Sequence, residues 1–155
     1  MRNALRLALL CPLCLTLFIS LTGCPKKAVN VELLLDATAS VNPDPQGQPL
    51  SVVVRIYQLK DKGRLEKADY TAILKSDKST LADDLLDTRE RVLEPGKTET
   101  VPLQPDPAAR YLGVVALFRA PVGDSWRRIV PIRGKDEKIS LSLQGQTIEV
   151  TSVSK

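Results

Sequence analysis

Apolar side chains alternate with polar ones in several short stretches between residue 29 and the C-terminus. The clearest stretch has Ile139, Leu141 and Leu143 separated by single serines. A period of two residues places the apolar side chains on one face of a β-strand and the polar ones on the other. Residues 51–59 repeat the pattern with valines and an isoleucine, whose branched side chains suit a pleated surface. The chain is therefore predicted to consist of strands that bury at least one face.

About eight such strands are predicted, with turn-forming residues between them. They cover residues 29–35, 51–59, 88–93, 98–103, 110–119, 126–132, 139–143 and 147–153. Strands of this length at regular spacing predict an all-β fold in which two sheets pack as a β-sandwich. Pro95-Gly96 predicts a hairpin that joins 88–93 to 98–103, and Gln144-Gly145 predicts a C-terminal hairpin.

One strand, residues 110–119, is apolar on both faces, which predicts a central position in its sheet. Gly113 within it indicates a bulge or a close backbone approach. Between the second and third strands, residues 65–86 change to helical spacing. Serines between residues 76 and 79 interrupt that spacing, which predicts two short helices or one helix and an irregular turn. The sandwich is therefore expected to carry a short helical insert.

The N-terminal segment has the layout of a secretory signal peptide. Arg2 and Arg6 precede a run of 17 uncharged residues, and Cys24 follows that run. The four residues 21–24, Leu-Thr-Gly-Cys, resemble a lipobox, the signal of bacterial lipoproteins. In that class the bond before the cysteine is cleaved and the cysteine becomes the lipidated N-terminus.

Two alternatives for this segment stay open. It could remain attached as a membrane anchor, although 17 residues interrupted by Pro12 are short for a span. It could also be an ordinary cleaved signal that a cysteine happens to follow. The lipobox interpretation predicts a cleaved lipoprotein signal peptide over 1–23, a lipidated stem over 24–28 and a β-sandwich domain over 29–155.

Cysteine and histidine usage limits the chemistry of the protein. Cys11 and Cys14 lie inside the predicted signal, so only Cys24 remains after cleavage and no intramolecular disulfide is expected. The chain has no histidine, which excludes every Ser-His-Asp or Cys-His arrangement and the commonest metal ligand. Carboxylates such as Asp69 or Asp77 form no pair with a diagnostic spacing. No catalytic residue, metal or cofactor is therefore predicted.

The charge of the chain is small and dispersed. Without the two signal arginines, 20 basic and 18 acidic residues remain, a net charge of about +2. No run of five like charges occurs, so no nucleic-acid partner is expected.

A loop at residues 39–49 contains three prolines together with asparagine, aspartate and glycine. Proline lacks the donor that a strand ladder needs, and the other residues favour turns. Two interpretations stay open for this loop, an ordinary connection between strands and a binding loop.

Several segments together resemble the TssJ (SciN/VasD) family of type VI secretion system outer-membrane lipoproteins. The most specific are residues 52–60, VVVRIYQLK, and residues 109–119, ARYLGVVALFR. Further matches are Ala68-Asp69-Tyr70, Leu81 with Leu85-Leu86, Pro95-Gly96 and Trp126-Arg127. The segment Ala120-Pro121 departs from the family, where many members have an acidic residue after the arginine.

The resemblance implies a transthyretin-like β-sandwich that a lipid tethers to the periplasmic face of the outer membrane. Pro25, rather than aspartate, after the cysteine implies release to that membrane. The expected partner is the periplasmic C-terminal domain of TssM, within the TssJ-TssL-TssM membrane complex. In the family, the loop between the first two strands contacts TssM. The corresponding partner-binding residues here would be Val41, Asn42, Pro43, Asp44, Pro45, Gln46, Gly47 and Gln48.

A second hypothesis is a periplasmic lipoprotein of the same fold that binds a small ligand or a peptide. Transthyretin-like sandwiches have varied functions, so the fold does not exclude it. A deep apolar pocket with convergent polar groups would favour this hypothesis.

Overall fold

The computed structural model describes residues 28–155 of the chain. The predicted signal peptide, Cys24 and the stem up to residue 27 lie outside the described residues. The elements follow in the order β1 (Val31–Ala37), β2 (Val52–Leu59), α1 (Gly63–Lys67), α2 (Tyr70–Leu81), a 3-10 turn (Ala82–Asp84), β3 (Leu85–Leu93), β4 (Thr98–Leu103), β5 (Tyr111–Ala116), β6 (Arg127–Pro131), β7 (Glu137–Gln144) and β8 (Thr147–Ser154).

The strands form two four-stranded sheets, which confirms the predicted sandwich. The first sheet has the order β4-β1-β7-β8 and the second has the order β3-β2-β5-β6. Strand β5 lies between β2 and β6, so its prediction as a central strand is confirmed. The C-terminal hairpin of β7 and β8 is confirmed as well. Neighbouring strands are antiparallel except β1 and β7, which pair in parallel.

The core between the sheets is built from the alternating apolar residues. In β1, Val31, Leu33 and Leu35 are buried, and in β7 every second residue from Glu137 to Leu143 is buried. The inward face of β2 carries three buried residues, Val52, Val54 and Ile56. Full burial of one such side chain contributes about 1.5–3 kcal/mol. The core therefore stabilises the domain without a disulfide among the described residues.

The helical insert covers the outward face of the second sheet. Tyr57 and Leu59 point away from the sandwich core but are fully buried. Leu65 of α1 packs against Gly113 of β5: a Cβ at residue 113 would lie 3.1 Å from Leu59 Cδ1 and closer still to Leu65 Cδ2. The β5 pairings show no register shift, so Gly113 marks a close approach and not a bulge.

The predicted hairpin between β3 and β4 is wrong. The turn at Pro95-Gly96 exists, but β3 belongs to the second sheet and β4 to the first. The chain crosses from one sheet to the other there, as it does repeatedly in sandwiches. A tight turn and two alternating strands are compatible with both arrangements, so the pattern alone does not distinguish them. An ion pair between Arg91 Nε and Glu99 Oε1, at 2.9 Å, joins the two strands.

The boundaries of the insert also differ from the prediction. The helices separate at Ala68 and Asp69, and α2 continues to Leu81 with a kink at Ser76 (φ −150°, ψ 44°). Leu85 and Leu86, predicted as the end of the helical stripe, begin β3 instead. Their spacing from Leu81 fits a helix, but pairing with β2 provides the backbone hydrogen bonds in the folded chain.

Candidate partner-binding surface

The two ends of β1 lie at opposite ends of the sandwich. Near its start, Asn30 N donates to Asp136 Oδ1 at 2.9 Å, and Glu137 N donates to Asn30 O at 3.0 Å. The seven residues of β1, at about 3.3 Å each, then span about 23 Å to Ala37. The β1–β2 loop follows directly. The loop and the N-terminal end of the described chain are therefore separated by the length of the domain.

The base of the β1–β2 loop is buried. Val41 is inaccessible to solvent and Asn42 is only 5% exposed. Asn42 Nδ2 donates to Ser51 O at 2.9 Å, which joins the two ends of the loop. Asn42 has a positive φ of 50°, a conformation that asparagine tolerates better than most residues. Val41 and Asn42, two of the residues predicted to bind the partner, therefore support the loop from inside, because their side chains are buried in this structure.

The tip of the loop is exposed and internally ordered. The carboxylate of Asp44 accepts hydrogen bonds from Gln46 N at 2.9 Å and Gln48 N at 2.8 Å. Gly47 N donates to Asp44 O at 3.0 Å, and Gly47 adopts a φ of +84° that favours glycine. The exposed residues of the tip are Pro45, Gln46, Gly47, Gln48, Pro49 and Leu50.

Two further loops meet the β1–β2 loop at the same end. Arg119, in the loop between β5 and β6 (residues 117–126), donates its backbone N–H to Asn42 Oδ1 at 2.8 Å. The Nε of Arg119 donates to Pro43 O at 3.3 Å. Asn42 N donates to Gly145 O, in the β7–β8 turn, at 2.6 Å. Residues 38–51, 117–126 and 144–147 thus form one surface, which we call the loop end.

The loop end has few charges. Only Asp44, Arg119 and Asp124 are charged among its residues. Each makes hydrogen bonds within the protein: Asp44 to the loop backbone, Arg119 to Pro43, and Asp124 Oδ1 to Arg127 Nη2 at 2.7 Å. Depletion of charge is typical of the centre of protein–protein interfaces. The surface is therefore suited to a partner that removes it from water.

A polar cluster joins α2 to the second sheet. Tyr57 OH donates to Asp77 Oδ2 at 2.9 Å, and Arg55 Nη1 donates to Ile73 O at 3.1 Å. Arg55 Nε also pairs with Glu90 Oε2 at 3.0 Å. Burial, together with the hydrogen bond to Asp77, raises the pKa of Tyr57 above its ordinary value of 10.0. The hydrogen-bond partners of Arg55 and Tyr57 all lie within the domain, so the cluster attaches the helical insert to the second sheet.

The two carboxylates considered for catalysis have structural roles. Asp69 is the N-cap of α2, where its Oδ1 accepts a hydrogen bond from Ala72 N at 2.8 Å. Asp77 belongs to the polar cluster. Within residues 28–155, no group of three or more His, Cys, Asp or Glu side chains could hold a metal ion.

A cavity of about 450 Å³ lies at the opposite end of the sandwich. It is lined by Ala28, Val29, Gln104, Pro105, Asp106, Pro107, Ala109, Ile132 and Gly134. Asp106 provides the carboxylate of this lining, and its Oδ1 accepts a hydrogen bond from Ala108 N at 2.7 Å. The backbone N of Asp106 donates to Gln58 Oε1 at 2.7 Å. The backbone N–H and one carboxylate oxygen of Asp106 therefore already make hydrogen bonds within the fold.

The fold and the loop end define a class of protein: a small two-sheet sandwich whose ordered loops lie at the end opposite to Ala28, the first described residue. The helices of the described residues are all too short or too polar to cross a bilayer. The family model "Type VI secretion lipoprotein, VasD, EvfM, TssJ, VC_A0113" matches residues 29–152. The chain belongs to this family of type VI secretion lipoproteins.

Solved structures agree with this assignment. The T6SS lipoprotein TssJ1 from Pseudomonas aeruginosa is 28% identical, with a TM-score of 0.73, covering 81% of this chain and 98% of that one. A chain of a type VI membrane complex is 32% identical, with a TM-score of 0.75, covering 81% and 100%. A chain in the structure of the T6SS protein TssM C-terminal domain (869-1107) from EAEC is 31% identical, with a TM-score of 0.71, covering 79% and 98%. The search of curated proteins finds no match.

These similarities confirm the resemblance and the transthyretin-like fold. Two features of the loop end were not predicted from the sequence, Leu50 and the β5–β6 loop. Leu50 follows Pro49 two residues before β2, and a single exposed apolar residue is a weak signal for a contact. The β5–β6 loop gives no local signal because its relation to Asn42 depends on the fold.

Proposed function

We propose that the protein is the outer-membrane lipoprotein of a type VI secretion membrane complex, which it anchors by binding the periplasmic C-terminal domain of TssM. Lipidation at Cys24 attaches the sandwich to the periplasmic face of the outer membrane. The exposed tip of the β1–β2 loop contacts TssM. Pro43 to Gln48 of the predicted loop residues provide the contact together with exposed Leu50, and Val41 and Asn42 hold them in place.

One observation supports this proposal most directly: the N-terminal end and the β1–β2 loop lie at opposite ends of the domain. β1 starts three residues after Ala28 and leads directly into the loop. Ala28, the first described residue, follows Cys24 by four positions and lies about one strand length from the loop end. That arrangement suits a bridge between the outer membrane and a partner that extends from the inner membrane.

The ordered state of the loop supports the same function. Asp44 holds the tip through two backbone N–H groups, and Asn42 joins the base to Ser51 and Arg119. A loop that is ordered before binding loses less conformational entropy when it meets its partner. Restricted loop motion also keeps the exposed prolines in one arrangement.

The structural comparisons name complexes of the same kind. One matched chain belongs to a type VI membrane complex, and another occurs in a structure of the TssM C-terminal domain. Both similarities support TssM as the partner of this chain.

Anchoring by the lipid needs more than one acyl chain. Each buried CH₂ contributes about 0.8 kcal/mol, and a single chain binds a membrane only reversibly. Full acylation at Cys24 would give lasting attachment. The cavity at the N-terminal end gives weaker support to small-ligand binding, because the N–H and one carboxylate oxygen of Asp106 already bond within the fold.

The binding proposal is tested with a soluble protein that starts at Pro25 and with purified TssM periplasmic C-terminal domain. Leu50→Asp places a charge at an exposed position of the loop end, and Leu74→Asp is its matched control on α2. The two leucines are 39% and 42% exposed. Calorimetry should show binding for the unmodified protein, at least tenfold weaker binding for Leu50→Asp and unchanged binding for Leu74→Asp. Absence of binding by the unmodified protein would contradict the proposed partner.

The lipid attachment is tested separately in cells. Cys24→Ser should abolish palmitate labelling and move the protein from the outer-membrane fraction to the soluble periplasm. Continued labelling and membrane association of this variant would refute lipidation at Cys24. This outcome leaves the binding test unaffected, because the soluble protein carries no lipid.

A further inference from the structure

We propose that the β5–β6 loop, residues 117–126, is a second contact element for the same partner, with Val122 as its apolar anchor. This inference rests on the proposed function and extends it from one loop to a composite surface. The partner surface that fits it is low in charge, because the loop end has few charges itself, and it offers an apolar site to Val122.

Val122 is the most exposed of the large apolar side chains in residues 28–155, at 63%. Pro121 precedes it and Gly123, with a φ of +52°, follows it, so the side chain lies at the tip of a tight turn. The turn is closed by Ser125, whose Oγ donates to Val122 O at 2.6 Å. Ser125 N also donates to Val122 O, at 3.1 Å. An exposed apolar tip on an ordered turn is a suitable contact for a protein partner.

The β5–β6 loop is joined directly to the β1–β2 loop. Arg119 N and Nε donate to Asn42 Oδ1 and Pro43 O, at 2.8 Å and 3.3 Å. Arg119 lies three residues before Val122, and Pro43 lies two residues before the exposed tip of the β1–β2 loop, so the bonds fix the two tips relative to each other. A partner that contacts residues 43–48 therefore meets the neighbouring loop in a defined position.

The helical insert supports the same loop from its other side. Tyr70 OH donates to Phe118 O at 2.5 Å. The ring of Tyr70 contacts Trp126 edge-on, with ring centres 5.3 Å apart. Arg127 lies over Trp126, 4.7 Å from the ring centre, and its Nη1 donates to Ala68 O. The insert thus holds both ends of the loop, Phe118 and Trp126, while Val122 remains exposed.

Exposure alone does not identify Val122, because single exposed apolar residues are common on protein surfaces. Val92 is almost as exposed, at 61%, but it lies on strand β3 between Arg91 and Leu93. Val122 differs because its loop is bonded to the β1–β2 loop and is held at both ends. Val92 is therefore a matched control for the effect of a charge at an exposed valine.

The test measures binding of the soluble protein to the TssM periplasmic C-terminal domain. Val122→Asp should weaken binding at least tenfold, and Val92→Asp should change it less than twofold. Melting temperatures of both variants should stay close to that of the unmodified protein, because both side chains are exposed. If the Val122→Asp variant does not fold, hydrogen exchange of the backbone amides is measured instead on the unmodified protein, free and in complex. Exchange at Gly123 and Asp124 should be slower in the complex.

The two proposals fail in different ways. Absence of binding by the unmodified protein overturns the proposed partner and the inference together. Weaker binding by Leu50→Asp with normal binding by Val122→Asp overturns only the inference. Unchanged exchange at Gly123 and Asp124 in a formed complex overturns it as well.

Discussion

The side-chain oxygen of Asn42 accepts a hydrogen bond from the backbone N–H of Arg119 at 2.8 Å, across 77 residues of sequence. The same side chain donates to Ser51 O at 2.9 Å, and the backbone N–H of Asn42 donates to Gly145 O. Through its side chain and its backbone N–H, this one buried residue therefore joins the three segments of the loop end.

Asn42→Ala should destabilise the domain by about 2–4 kcal/mol. It leaves the buried partners of the amide without bonds, which costs about 1–3 kcal/mol, and places alanine at a φ of 50°, which costs about 1 kcal/mol more. Asn42→Gly removes the same bonds without the strain and should be about 1 kcal/mol more stable than Asn42→Ala. Urea unfolding gives the free energy of unfolding of both variants. Equal values for the two would contradict backbone strain from alanine at residue 42.

Gly113→Ala should destabilise the domain by about 1–3 kcal/mol, because the added methyl group meets Leu65 and Leu59. Leu65→Ala should cost about 2–5 kcal/mol by itself, since Leu65 is fully buried. The double variant should lose less than the sum, because the shorter side chain leaves room for the methyl group. Denaturant unfolding measures the free energy of unfolding of the two single variants and the double variant, with exposed Leu74→Ala as control. Losses that add exactly in the double variant would contradict the contact between residues 113 and 65.

Tyr57 should make stability depend on pH in the alkaline range. Its pKa is raised in the folded protein, so the folded state favours the protonated phenol. The stabilisation that the protonated phenol gives to the folded state is complete below pH 10, the ordinary pKa of tyrosine. It is lost as the pH rises above that value, by up to about 1.4 kcal/mol per pH unit.

The comparison with Tyr57→Phe isolates this effect. The variant lacks the bond to Asp77, so it should be about 1.5–3 kcal/mol less stable at pH 7. Between pH 9 and pH 11 its free energy of unfolding should fall less steeply than that of the unmodified protein. Parallel curves in chemical denaturation would exclude Tyr57 as the source of the alkaline loss.

Binding of the TssM domain should depend only weakly on salt. Charges at the loop end are few and already make hydrogen bonds within the protein, so long-range steering contributes little. Raising NaCl from about 50 mM to about 500 mM should change the dissociation constant by less than about threefold, measured by calorimetry. A tenfold or larger weakening would indicate that charged residues outside the loop end dominate the contact.

The alternation of apolar and polar residues was sufficient to predict the strands. A strand that buries one face against a core needs this period, so β1, β2 and β7 appear in the sequence as they do in the structure. The change of period after β2 was sufficient to predict the insert for the same reason. Gly113 indicated a bulge or a close backbone approach, and the structure shows the close approach.

The pairing of strands could not be predicted in the same way. β3 and β4 are joined by a turn typical of hairpins, yet they lie in different sheets. The parallel pairing of β1 with β7 likewise joins distant segments. Local patterns specify which residues of a strand are buried, but not which neighbour supplies its hydrogen bonds.

The sequence by itself determined the strands, the insert, the single cysteine of the predicted mature chain and the proline-rich loop, because each depends on residues close together in the chain. Only the tertiary structure decided that Val41 and Asn42 are buried, that the β5–β6 loop adjoins Pro43, and that β1 separates the loop from the N-terminal end. These relations arise from long-range packing and hydrogen bonding, which compete across the whole domain rather than within one segment.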